Sequence, residues 1–147
     1  MNRKTSGFSL IELMIVVVIA TILAAIAIPS YNSSIRKSRR TEAKTAIMDF
    51  AAREERLYAT QNVYSTDPVA LGYTAAGGSW PVSTGSYYQI ELPTISAPSA
   101  TTPATFSVVV DPSPGSTQAN DTTCASSTLT NTGLQGATGT NPTSCWP

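Results

Sequence analysis

Residues 7–29 read GFSLIELMIVVVIATILAAIAIP, an apolar stretch that opens directly after a glycine and carries a single acid, Glu12. From Phe8 to Ile28 the run covers 21 residues. As a helix that is roughly 30 Å, the thickness of a bilayer's hydrocarbon core. A carboxylate inside such a run costs about 2.5–3.5 kcal/mol on insertion scales. Left alone it protonates or bears a desolvation penalty, whereas a cation a few ångström away stabilises its charged form. Glu12 is therefore expected to gain a positive partner when chains pack together.

A short polar leader, Met1–Gly7, precedes the run and carries Arg3 and Lys4. An ordinary secretory signal is cut behind its apolar region, after a small-x-small pattern. Ala25–Ala27 offers such a pattern, so a cleaved signal peptide is the competing reading. Here, however, the glycine, the aromatic and the acid stand in front of the apolar segment. Gly7-Phe8-Ser9-Leu10-Ile11-Glu12 resembles the type III signal of the type IV pilin family. That resemblance implies cleavage after Gly7 by a membrane prepilin peptidase, with methylation of the new amino terminus at Phe8. It also implies that Glu12 pairs with the amino-terminal amine of a neighbouring subunit in a filament.

Nine Lys and Arg balance nine Asp and Glu, and histidine is absent. The balance hides an asymmetry. Every cation lies at or before Arg56, while residues 57–147 carry only Asp67, Glu91, Asp111 and Asp121, a charge of −4. Cys124 and Cys145, in an exported head, read as a disulfide; the alternative is two reduced thiols. With no histidine and no third cysteine, no metal and no other cofactor is expected. Positive-inside counting does not orient the chain, because Arg36, Lys37, Arg39 and Arg40 outweigh Arg3 and Lys4. The leader motif and the cysteine pair place the amino end in the cytoplasm and the head outside.

Glycine is absent between Phe8 and Gly72, and Pro29 is the only proline before Pro68. One long helix is expected over residues 8 to about 60, bent at Pro29, where a backbone donor is missing. Alternatively, Pro29 ends one helix and a second begins. Ala43, Ile47, Phe50 and Leu57 recur at helical spacing and predict a core-facing stripe. The charged residues between them, including Glu54, fall to the polar side. Arg36–Arg40 would face lipid phosphates, acidic neighbours or solvent.

Beyond Tyr58, residues 61–86 read as a loop with Tyr64, Tyr73, Gly77, Gly78, Trp80 and Pro81. Tyr87–Leu92, Thr105–Val110 and Ser127–Thr132 have strand composition. PTISAPSATTPAT, residues 93–105, reads as a polar, mobile hairpin connection. The fold class is thus α+β: a long kinked amino-terminal helix, transmembrane in its first half, packed on a small antiparallel sheet. A loop closed by Cys124 and Cys145 ends the head, with Trp146 as a packing anchor. Four segments follow: leader 1–7, transmembrane and polymerisation helix 8–28, amphipathic helix 29–60 and globular head 61–147.

An enzyme is not expected. Without histidine, and without Lys or Arg in the head, neither a usual nucleophile–base pair nor an anion clamp is available. Asp111 and Asp121 read as isolated surface acids rather than calcium ligands. The Ser38–Ala43 and Ala51–Tyr58 segments, with the closing Cys145-Trp146, resemble minor pilins of the PilE type. The family resemblance implies a structural subunit of a type IV pilus serving assembly, adhesion and twitching motility. Its implied partners are major and minor pilin subunits, the prepilin peptidase and an inner-membrane assembly platform. It would sit in the inner membrane as a single-pass protein before assembly and in the extracellular fibre afterwards. A type II secretion pseudopilin shares the same amino-terminal logic. A DNA-uptake receptor pilin is the third reading, and the cation-free head argues against it, because phosphate neutralisation dominates DNA affinity.

Overall fold

The computed structural model describes residues 7–73, 80 and 85–146. The leader up to Ser6 lies outside the described residues, as do Gly77, Gly78 and Pro81 of the expected loop. The chain divides into two compact units, Met1–Ile35 and Arg36–Pro147.

Helix α1 runs from Leu10 to Gln61, 52 residues, with Pro29 inside it. The helix therefore continues through the proline rather than ending there. Its start is a capping arrangement: the Ser9 hydroxyl accepts the Glu12 backbone N–H at 3.3 Å, satisfying one of the first-turn donors. Its end is set by Asn62, which adopts φ 58° and donates its N–H to the Tyr58 carbonyl at 2.7 Å. Asparagine tolerates this left-handed turn, which closes the helix without a glycine.

The second unit holds the sheet. Strands β1 (Tyr88–Ile90), β2 (Thr94–Ser96), β3 (Thr105–Pro112), β4 (Ser126–Thr130) and β5 (Gln135–Thr138) are all antiparallel. Their order is β1-β3-β4-β5, with β2 also paired to β3. β3 alternates strictly: Phe106, Val108 and Val110 are buried, and the residues between them are half-exposed. These inward residues meet Ala43, Ile47 and Phe50 of α1, joined by Leu71, Tyr88, Ile90 and Leu129. Phe50 and Phe106 pack edge to face with ring centroids 5.7 Å apart, a favoured aromatic geometry.

Three expectations about the elements and the helix faces needed correction. Residues 93–105 are not wholly a connection, because Thr94–Ser96 pair with Thr105–Ser107 as β2. Ile95 is half-buried and packs against the core, which supplies the apolar contact that composition alone concealed. Next, the glycine-rich tail contains strand β5, which the turn residues masked. Glycine is required there at Gly136, since a β-carbon would collide with the Thr128 hydroxyl across the β4–β5 pair. The third concerns Glu54, expected on the polar side but fully buried, with the Ser65 N–H of the segment after the helix against it.

Candidate functional site

Gly7 and Phe8 precede α1 and are exposed. Glu12 lies in the first turn, where the N-terminal end of the helix dipole favours an acid. Through residues 7–34 every side chain is exposed except the half-covered Ala24. Phe8, Leu10 and Ile26 are 83%, 78% and 71% exposed. A contiguous apolar surface of this size marks a membrane or protein contact. The segment is long and apolar enough to cross a bilayer.

Cys124 and Cys145 are bonded, with Cα atoms 5.7 Å apart, and both are buried. They tie the approach to β4 to the carboxyl end. Trp146 follows and donates its indole N–H to the Gly136 carbonyl at 2.7 Å, fastening the tail to β5. The anchor role expected for this tryptophan is thus carried by a hydrogen bond as well as by packing.

The basic stretch of α1 is used internally more than its sequence suggests. Arg40 forms a two-pronged pair with Asp121, Nε to Oδ2 at 2.7 Å and Nη2 to Oδ1 at 2.8 Å. Asp121 is 2% exposed, so it is not the surface acid its composition implied. Burial alone would push its carboxyl up. The Arg40 hydrogen bonds and charge, with the Thr123 and Cys124 N–H groups, hold it below the usual carboxylate range. Gln118, also buried, donates to Asp121 Oδ2 at 2.8 Å and to the Arg36 carbonyl at 3.4 Å. Arg39 donates to the Thr117 hydroxyl and lies 4.0 Å over the Tyr87 ring. Nothing in the spacing of Arg40 and Asp121, 81 residues apart, announced this lock.

A second set of contacts straps residues 62–73 to α1. Arg53 bonds Asp49 at 2.8 Å and the Leu71 and Gly72 carbonyls at 3.2 and 3.1 Å. Glu54 Oε2 accepts the Ser65 N–H at 3.1 Å, while Oε1 is buried without a hydrogen-bond partner. Burial pushes this carboxyl up to about 7, the Ser65 N–H opposing and the Glu55 charge reinforcing the shift. No group of three or more metal-ligating side chains occurs among the described residues.

A helix with an exposed apolar amino-terminal segment, whose later turns pack on a disulfide-closed antiparallel sheet, defines a pilin-like architecture. Sequence comparison sharpens that class. A family model described as "Type IV minor pilin ComP, DNA uptake sequence receptor" matches residues 29–130, and one described as "Prokaryotic N-terminal methylation motif" matches residues 2–28. The chain belongs to the type IV minor pilin ComP family.

Among curated proteins, the chain is 37% identical over 78 residues to the type IV major pilin protein PilA of Myxococcus xanthus, covering 53% of this chain and 36% of that protein. It is 39% identical over 75 residues to the fimbrial protein EcpC of Eikenella corrodens, 51% of this chain and 49% of that protein. With the type IV major alpha-pilin of Moraxella bovis it shares 37% identity over 99 residues, 63% of this chain and 61% of that one. The matched region therefore spans between about a third and three-fifths of these relatives' own lengths.

Proposed function

We propose that the chain is a non-enzymatic structural subunit of a type IV pilus, and that it contributes to fibre assembly and through it to adhesion and twitching motility. The observation that carries this reading is the Phe8–Ile28 segment, exposed but for the half-covered Ala24 and lying within the match to the methylation motif. Before assembly the segment holds the chain in the inner membrane, amino end in the cytoplasm. Prepilin peptidase cleaves after Gly7 and methylates Phe8. Glu12 then meets the freed amine of a neighbour, and Pro29 bends the helix where the leading segment gives way to the amphipathic part. Withdrawing some 21 apolar residues from lipid is unfavourable unless neighbouring helices replace the lipid, so an inner-membrane platform must drive it. Intact-mass analysis of sheared surface fibres tests the reading. The expected species starts at Phe8 with one added methyl group and an oxidised cysteine pair; a chain starting beyond Ala27 would refute it.

The family description favours one second reading, a receptor for DNA. DNA affinity rests on cations that neutralise phosphates. Arg40 and Arg53 are engaged in ion pairs, and Arg36, Lys37, Arg39, Lys44 and Arg56 of the second unit have no acidic partner among the described residues. Any phosphate contact made by described residues would have to draw on those α1 side chains. A gel shift with residues 36–147 across a salt series tests it: salt-steep retention supports a DNA receptor, and no retention at low salt removes it.

A further inference from the structure

The main chain between the end of α1 and the turn at Asp67 is held by side chains alone. Asn62, at φ 58°, closes the helix onto the Tyr58 carbonyl. Residues 67–73 fold on themselves, with backbone bonds from Leu71 to Asp67, Gly72 to Val69 and Tyr73 to Pro68. Between these anchors, residues 63–66 make no backbone–backbone hydrogen bond among the described residues. Their backbone is bonded to α1 once, where the Ser65 N–H donates to Glu54 Oε2 at 3.1 Å. The Tyr64 hydroxyl adds a side-chain bond, donating to Glu55 Oε1 at 3.0 Å and accepting from the Asn131 side chain. Its ring stacks on Tyr58, centroids 4.6 Å apart, and meets Phe106 edge-on at 5.0 Å.

Glu54 is a sound fastener only while neutral. It is 0% exposed, Oε2 has the one donor and Oε1 has none. No cation answers it. Arg53 beside it spends its guanidinium on Asp49 and on the Leu71 and Gly72 carbonyls, and Arg56 is exposed. The other groups around it are Glu55 on α1, the Tyr73 hydroxyl bonded to Asp49, Tyr64, and Asp67 of the anchored turn. Beyond Asp67 the chain contributes only Glu91, Asp111 and Asp121, the last held by Arg40, and no cation. Burial pushes the Tyr64 and Tyr73 hydroxyls up, so both stay protonated at neutral pH. A neutral carboxyl tolerates this burial while accepting the Ser65 N–H; a carboxylate there has neither water nor counterion. Lifting residues 63–66 off the helix lets water reach it.

We propose that Glu54 is the trigger of a pH-set latch: protonated, it holds residues 63–66 on α1, and ionised, it releases them and uncovers the Tyr58 and Tyr64 rings and the edge of Phe106. The hinges are Asn62 and the buried Pro68 at the start of the anchored turn. The device does not depend on the fibre-subunit reading or on the DNA reading. In the released state Glu54 is an ordinary carboxyl that ionises near about 4.3. In the latched state burial holds its proton up to about 7. Release therefore gains about tenfold per pH unit between those two values and levels off above them.

Hydrogen–deuterium exchange of the full chain in detergent micelles tests the latch, with the Ser65 amide resolved by fragmentation of its peptide. After correction for intrinsic rates, Ser65 protection is expected to fall about tenfold per unit from about pH 5 to 7 and then level. Low urea should not change it, since local release exposes little surface, whereas β4 protection should fall with urea. Glu54→Gln should keep Ser65 protected at every pH. Asp67→Asn, which retains an acceptor for the Val69 N–H, should leave the wild-type pH dependence intact. A wild-type Ser65 amide that is unprotected at pH 5 or insensitive to pH overturns the latch. So does a dependence that survives Glu54→Gln or disappears with Asp67→Asn. Ser65 protection that follows urea in step with β4 assigns the exchange to global unfolding and overturns it as well.

Discussion

The Arg40 guanidinium grips the buried Asp121 carboxylate with two hydrogen bonds, 2.7 and 2.8 Å, across 81 residues of sequence. The pair joins α1 to the segment that leads through Cys124 into β4. Arg40 is itself largely covered, its side chain 12% exposed against 1% for Asp121. A planar fork matched to a carboxylate is the geometry in which arginine outperforms lysine.

Arg40→Ala would leave a buried carboxylate without its counterion and is expected to destabilise residues 36–147 by about 3–5 kcal/mol. Urea titration of the oxidised protein at neutral pH measures this. Asp121 has a depressed folded-state value, so its contribution is present above the ordinary carboxylate range and is lost as pH falls through that depressed value. The gap between wild type and Arg40→Ala should therefore narrow in strong acid. Retention of wild-type stability by Arg40→Ala would remove the lock.

Glu54 has the opposite sign. In the unfolded chain it ionises near about 4.3, while burial moves it up to about 7 in the fold. Between those values the folded state holds the additional proton, so stability falls as pH rises through the window and is lowest above it. Glu54→Gln keeps an acceptor for the Ser65 N–H and removes the charge. It is expected to raise stability at pH 8 by about 1–3 kcal/mol, the scale of one unsatisfied buried polar group, with the gain vanishing near pH 4. Thermal melts of both proteins across that range test the sign.

Loss of the disulfide, by Cys124→Ser with Cys145→Ser, opens a loop whose ends are 21 residues apart. The expected loss is about 3 kcal/mol in the chain-entropy account. Protease susceptibility should rise first in the tail, where Trp146 would be held only by its indole bond to β5 and its packing. Denaturant midpoints and the first cleavage site, read by mass spectrometry, check both halves of the expectation.

Glu12→Leu is expected to leave the chain in the membrane fraction while its share in sheared fibres falls. Glu12→Gln separates charge from hydrogen bonding and should fail in the same way. Immunoblots of membrane and fibre fractions compare them. Normal incorporation of the glutamine variant would show that an ionised carboxylate is not needed, and the capping position of Glu12 would then suffice to explain the acid.

The helical half of the molecule was legible in outline. Glycine-free sequence from Phe8 to Leu71, the helical spacing of Ala43, Ile47 and Phe50, and the strand composition of Thr105–Val110 are local patterns that the backbone follows. The disulfide was legible too, since only two cysteines were available. β2 and β5 were not, because three- and four-residue strands rich in Ser, Thr and Gly are set by their neighbours in the sheet rather than by their own propensity.

What the chain determined by itself is therefore the long helix, its apolar leading segment with Glu12 in the first turn, and the existence of a sheet beneath the amphipathic part. Those features follow from composition and short-range periodicity, which act along the backbone whatever lies far away. What only the tertiary structure decided is which charges are spent inside the head. Asp121 and Glu54 look alike as letters, yet one is clasped by Arg40 and driven towards its ionised form, and the other is buried beside one backbone amide and driven towards its neutral form. Burial and the position of a distant partner set that difference, and neither is encoded in the residues adjacent to the acid.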